Sequence, residues 1–136
     1  MKTGKKFISP FLLAGLFFFH ACDQGETKPE TYASIEGLYS CQENSIHTGL
    51  RKYFIEIDRV NDSEDTFIIT NFHNLGESEF LYMEYRPDSI HIENQYITNY
   101  RIKGKGTADA SFRRIELYYE TDDGSIIQDY YATYTR

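Results

Sequence analysis

Histidine is the residue type in this sequence best suited to acid–base or metal chemistry, because its ring titrates near neutral pH. His91 and Glu93 alternate with apolar residues, so both side chains should lie on one face of a strand and could share one ion. A zinc site needs three or four ligands, and no further pair at ligand spacing is present in the sequence. The pattern therefore favours a solvent-facing His–Glu pair over a metal site.

Motifs that would indicate catalysis or nucleotide binding are absent from the sequence, including GxSxG, HExxH, Walker-type and dinucleotide fingerprints. Residues 61–65 lack the glycine and the distant glutamate of a calcium loop. Residues 104–106, Gly-Lys-Gly, lie inside a strand pattern, which favours a bulge or close backbone approach over a phosphate site. We predict a non-catalytic domain without a cofactor. The alternative is an envelope hydrolase in which His73 or His91 meets a carboxylate and a nucleophile.

Tyrosine and phenylalanine supply most of the large side chains, with 12 Tyr, 10 Phe and no Trp. A tyrosine has an apolar body and a polar tip, so it suits a barrel core, a rim or a pocket wall. We predict that any small ligand contacts the inner face or rim, where tyrosines at strand ends could meet it. These candidates are Tyr85, Tyr100, Tyr119 and Tyr134.

Alternation of apolar and polar residues with period two recurs from residue 32 to residue 136, and no helical stripe appears. Cys41 shares its parity with Ile35 and Tyr39, so we expect a buried, unpaired thiol. Turn-forming residues separate the runs at positions 61–63, 74–76, 86–88, 93–95 and 122–124. The less charged side of the predicted strands should face inward, and it holds Tyr53, Ile55, Ile57, Leu81, Met83, Ile90, Ile92, Tyr100, Ile102, Ile115, Leu117, Tyr119, Tyr130, Ala132 and Tyr134.

About eight strands joined mostly by short turns predict an all-β fold, an antiparallel up-and-down meander. Such a sheet protects its edges by curling into a barrel or half-barrel. Residues 32–136 are expected to form this single domain, and the polar residues 22–31 are expected to form a flexible tether before it.

The first 21 residues have the pattern of a secretory signal, with Lys2, Lys5 and Lys6 ahead of the apolar run at 11–19. Ala21-Cys22 follows directly, and this junction resembles the lipobox of bacterial lipoproteins. That resemblance implies that Cys22 is lipidated and becomes the first residue of the mature chain, held on a membrane by its acyl chains. An ordinary cleaved signal with a coincidental cysteine is the alternative.

The charge of the chain argues against nucleic acid as a partner. Removal of residues 1–21 takes away three lysines and no acid, which changes the formal net charge from −7 to −10. Phosphate backbones are bound by Lys and Arg, so a surface this acidic is unsuited to them. The charge is well suited to keeping a tethered domain in solution.

Several segments of the domain resemble the small lipoproteins of Bacteroides-type bacteria. They are residues 37–41, 69–72, 89–92, 104–106 and 115–119. The resemblance implies a lipocalin-like or half-barrel meander in the cell envelope, anchored to the outer membrane, and supplies no catalytic residues. Asp23 after the lipidated cysteine looks like a surface-display signal of such bacteria, whereas in enteric bacteria it would imply retention at the inner membrane. We predict an anchored protein that binds a small molecule or a protein partner.

Overall fold

The computed structural model describes residues 32–136, which form a closed barrel of eight antiparallel strands in consecutive order. This confirms the predicted all-β meander and shows that the barrel is closed. The predicted signal, tether and Cys22 lie outside the described residues. No helix among residues 32–136 is long and apolar enough to cross a membrane. The strands are β1 (Gly37–Ser45), β2 (Gly49–Arg59), β3 (Thr66–Thr70), β4 (Phe80–Arg86), β5 (Ser89–Ile97), β6 (Tyr100–Ala108), β7 (Arg114–Asp122) and β8 (Ile127–Thr135), with a short 3₁₀ segment at Phe72–Asn74.

Strand alternation fills the barrel with apolar side chains, as the sequence predicts. Ile57, Leu81 and Leu117 are completely buried, whereas Glu56 and Lys103, which point to the opposite face of their strands, are exposed. Tyr53 and Tyr100 are only partly buried, and the remaining side chains predicted to face inward are buried. A shift of one residue in register would turn this whole set toward water, so burial itself fixes the pairing of the strands.

The turn predicted at residues 93–95 is wrong. β5 continues to Ile97, and its pairing with β6 shifts register between Ile92 and Gln95. The chain reverses after Ile97 instead, where Thr98 has a positive φ of 52°. A bulge accommodates polar residues within a strand without ending it. The side chain of Gln95 bonds to both backbone groups of Tyr82, which keeps the bulged strand attached to β4.

Two glycines of β6 allow a close approach to β7, in agreement with the prediction for residues 104–106. A Cβ at Gly104 would lie 2.6 Å from Cβ of Tyr119 and 2.8 Å from the carbonyl oxygen of Tyr118. A Cβ at Gly106 would collide with the Glu116 carbonyl oxygen. The absence of side chains at these two positions lets β6 lie close against its paired strand β7, opposite Tyr119 and Leu117.

The two ends of the barrel differ. At the first, which we call the plugged end, the hydroxyl of Tyr39 shares its one hydrogen between the carbonyl oxygens of Ile35 (2.8 Å) and Phe112 (3.2 Å). Nε of Arg136 donates to the Phe112 carbonyl at 2.8 Å, and Tyr85 packs edge-on against the same phenylalanine. The first described residues enter here. The opposite end, which we call the far end, carries the β1–β2, β3–β4, β5–β6 and β7–β8 connections.

Cys41 is free and completely buried, as predicted. Burial raises the pKa of its thiol to about 12, so almost no thiolate exists at neutral pH. We therefore expect a thiol reagent to modify Cys41 slowly in the folded protein and rapidly after addition of denaturant. The rates are measured by mass spectrometry. Fast labelling under native conditions would contradict the burial of this side chain.

Candidate functional site

A buried carboxylate lies inside the far half of the barrel. Glu43 follows Cys41 by two residues on β1, so it faces inward, and its exposed fraction is 0 %. A charged side chain at such a position is costly unless it is paired and hydrogen-bonded. Sequence reasoning missed this residue, although its parity with Tyr39 and Cys41 was a usable signal.

Three side chains satisfy Glu43. Arg51 is its cross-strand partner on β2, and Nε of Arg51 donates to Oε1 at 2.9 Å while Nη2 binds the same oxygen. The Tyr53 hydroxyl donates to Oε2 at 2.6 Å, and the Tyr119 hydroxyl donates to Oε2 as well. These contacts make the carboxylate the centre of a network that joins β1, β2 and β7.

His73 approaches the same carboxylate from the β3–β4 connection. Its Nδ1 lies 3.2 Å from Oε2 of Glu43 and 2.7 Å from the hydroxyl of Tyr119, and Nη2 of Arg51 lies 3.0 Å from Nδ1. The backbone of His73 is left-handed, with φ of 56°, an unusual conformation for a residue other than glycine. This local geometry places the ring at the far end, where it is 5 % exposed.

The network determines the protonation of Glu43. Burial alone would raise the pKa of this carboxyl, but the hydrogen bond and charge of His73, with the hydroxyls of Tyr119 and Tyr53, lower it to about 2. Burial and the nearby charge of Glu43 raise the pKa of Tyr119 well above its ordinary value. Glu43 is therefore ionised and Tyr119 is a neutral donor at physiological pH.

Arg51 connects this network to solvent. Its side chain is 32 % exposed, whereas that of Glu43 is fully buried. Nε and Nη2 contact Glu43 and His73, and none of residues 32–136 accepts a hydrogen bond from Nη1. The guanidinium carbon lies 5.9 Å from the ring centre of Tyr130.

Aromatic rings surround the charged groups. The ring of His73 lies 4.6 Å from that of Tyr130 and 5.7 Å from that of Tyr100, measured between centres. The rings of Tyr119 and Tyr130 are stacked, with their centres 5.2 Å apart. We call the whole group the far-end cluster; it consists of Glu43, Arg51, Tyr53, His73, Tyr100, Tyr119 and Tyr130.

The four tyrosines predicted to contact a ligand do not lie together. Tyr100 and Tyr119 belong to the far-end cluster. Tyr85 lies at the plugged end beside Phe67 and Phe112. Tyr134 is completely buried, and its hydroxyl has no hydrogen-bond partner among residues 32–136.

The outer wall carries two grooves, of about 650 Å³ and 490 Å³, which share His91, Glu93, Lys105 and Tyr118. His91 Nε2 lies 2.9 Å from Glu93 Oε1, and both side chains are exposed. In the described part of the chain, no group of three or more His, Cys, Asp or Glu side chains could hold a metal ion. The smaller groove also includes Tyr119 and Tyr130 of the far-end cluster, and the mixed charges of both grooves offer less directional chemistry than the Glu43–Arg51 pair.

Comparisons with known proteins bear on the fold. No family model matches the chain, and no curated protein matches it. Among solved structures, a redesigned beta barrel superimposes with a TM-score of 0.56 and 14% identity, covering 75% of this chain and 90% of that one. EF1p2_mFAP2b bound to DFHBI superimposes with a TM-score of 0.53 and 15% identity, covering 75% of this chain and 93% of that one. These similarities support the β-barrel fold.

Proposed function

We propose that this protein is a membrane-anchored, non-catalytic lipoprotein of the cell envelope whose barrel binds a small molecule at its far end. One observation carries the proposal: Glu43 is buried and holds Arg51, yet Arg51 remains partly exposed with Nη1 unengaged. A buried ion pair contributes little net stability compared with well-packed apolar residues. Its presence at one end of an apolar barrel is better explained by binding than by folding.

The similarity to a dye-bound barrel supports this proposal. EF1p2_mFAP2b has a barrel of similar topology, and its structure contains DFHBI. A small barrel can therefore bind a small organic molecule. In the present protein the far end also lies opposite Tyr32, the first described residue, whose amide donates to the Ser111 carbonyl near the plugged end. A binding site there would be remote from the point at which the predicted tether joins the domain.

Hydrolysis is the second candidate function, and the contact between His73 and Glu43 is the observation that favours it. A hydrolytic site of this kind also needs a nucleophile within hydrogen-bond reach of the histidine. Within residues 32–136, the hydroxyl that contacts His73 is that of Tyr119, which also donates to Glu43. No Ser, Thr or Cys of the described chain bonds to His73. This arrangement supports a binding site over a hydrolytic one.

The anchor is tested by the Cys22→Ala variant. Because the acyl chains would be attached to this thiol, we expect the variant to lose all labelling by a fatty-acid analogue and to leave the membrane fraction. The Cys41→Ala variant is the matched control and should stay labelled and membrane-bound. A Cys22→Ala protein that remains labelled on the membrane would refute the proposed lipidation.

Binding is tested by an NMR screen of small molecules against the mature protein in detergent micelles. We expect hits to shift signals of Arg51, Tyr100 and the adjoining His73 in a saturable manner, because Arg51 has an open donor at Nη1 and the Tyr100 ring is partly accessible. Shifts confined to His91, Lys105 and Tyr118 would place the site in the outer grooves instead. If no compound shifts any far-end residue, the proposed binding function is wrong.

A further inference from the structure

We infer that the ligand of the far-end cluster is a small aromatic monocarboxylate, bound through Nη1 of Arg51. This inference rests on the proposed function and adds the chemical class of the ligand. Its basis is the distribution of donors and rings around one arginine.

The first step is the set of donors that Arg51 leaves open. A guanidinium has five N–H donors in a rigid plane. Glu43 takes donors from Nε and Nη2, and His73 lies beside Nη2. The two hydrogens of Nη1 have no acceptor within residues 32–136. Because Glu43 is completely buried and fixes the other edge of the plane, Arg51 is held in position before a ligand arrives, which reduces the entropy cost of binding.

The second step is the charge that this position accepts. Oxyanions form the strongest hydrogen bonds with a guanidinium, and a carboxylate is a small oxyanion that can accept one from Nη1 alone. Glu43 already neutralises the formal charge of Arg51, so a ligand with two negative charges would be repelled by Glu43 and by the acidic protein as a whole. A ligand with a single negative charge experiences the least repulsion while still receiving charge-assisted hydrogen bonds.

The third step is the surroundings of Arg51. The ring of His73 lies 5.7 Å from that of Tyr100 and 4.6 Å from that of Tyr130, both edge-to-face, and His73 and Tyr130 are each only 5 % exposed. Tyr100 is only partly buried, so part of its ring remains accessible. An aromatic ligand makes favourable edge-to-face or offset contacts with an accessible ring, which here is that of Tyr100. An aromatic acid therefore suits both Nη1 of Arg51 and the accessible part of the Tyr100 ring.

The probe pair is 2-naphthoate and its neutral amide, 2-naphthamide, titrated into the mature protein in detergent micelles. The two share their ring system and differ in charge. We expect saturable binding of 2-naphthoate, with NMR shifts at the Arg51 side chain, His73 and Tyr100. We expect 2-naphthamide to bind at least about tenfold more weakly, because Nη1 gains a charge-assisted bond only with the acid.

Variants test whether Arg51 is the group that binds the carboxylate. Arg51→Gln should weaken 2-naphthoate binding at least about tenfold and leave 2-naphthamide binding unchanged. Because Arg51→Gln leaves Glu43 without its partner, the double variant Glu43→Gln/Arg51→Gln provides a second test in which both charges are removed. Arg101→Gln is the matched control, since Arg101 is a partly exposed arginine on β6 that pairs with Asp122. It should bind both probes like the wild type.

Three results would overturn the inference. Equal binding of the acid and the amide at the far end would remove the role of charge while leaving the proposed function intact. Failure of 2-naphthoate to bind, while other screened molecules shift far-end residues, would also overturn the ligand class alone. If neither the probes nor any screened molecule shifts a far-end residue, the proposed function fails together with the inference.

Discussion

Replacement of Leu117 by Asp is expected to unfold the barrel. Leu117 is completely buried on β7, within the core shared by all eight strands. An unpaired buried charge costs several kcal/mol, against a total stability of only ~5–15 kcal/mol for a domain of this size. Ile57→Asp on β2 should have the same effect, because Ile57 is equally buried. Far-UV circular dichroism and thermal melting measure the loss of folded structure in both variants.

The matched controls are Glu56→Ala and Lys103→Ala on the outer face. Glu56 is exposed, and Lys103 makes an ion pair with Glu120 at 3.2 Å while its side chain remains 59% exposed. Exposed ion pairs contribute at most ~1 kcal/mol, so both variants should melt close to the wild type. If the inward and outward substitutions lower the melting temperature by the same amount, the assignment of the two faces is incorrect. The interior position of Glu43 then loses its basis as well.

Acidification is expected to remove the stability that the ionised form of Glu43 provides relative to its protonated form. The pKa of Glu43 is about 2 in the folded protein, against an ordinary value of 4.5. A lowered folded pKa means that the ionised carboxylate stabilises the fold above pH 4.5, and that this contribution disappears as the pH falls toward 2. The difference in pKa corresponds to about 3 kcal/mol at neutral pH.

Comparison with Glu43→Gln isolates this contribution from those of the other carboxylates. Urea unfolding is measured for both proteins between pH 7 and pH 2. The wild type should be more stable than the variant by about 3 kcal/mol at pH 7, and the difference should approach zero at the acidic limit. A difference that does not change with pH would mean that Glu43 does not titrate as the network requires.

The sequence by itself determined the strands and their faces. Side chains on a strand alternate between two faces, so Ile55 and Ile57, or Ile115 and Leu117, could be assigned inward from parity alone. Turn chemistry separated the strands in most places because Asn, Asp, Gly and Pro favour reversals. At residues 93–95 this logic failed, since a bulge tolerates the same polar residues as a turn. The pairing of β5 with β4 and β6 made this segment a bulge and not a turn.

Closure of the barrel and the composition of the far-end cluster depended on tertiary structure. The pairing of β1 with β8, which closes the sheet, joins residues about 90 positions apart in the chain, and no local pattern encodes it. Parity could place Glu43 and Arg51 inside, but it could not bring His73 from the β3–β4 connection or Tyr119 from β7 to the same carboxylate. Such a site exists only when separate strands meet. The stability of its buried charge therefore depends on distances that alternation along a single strand does not specify.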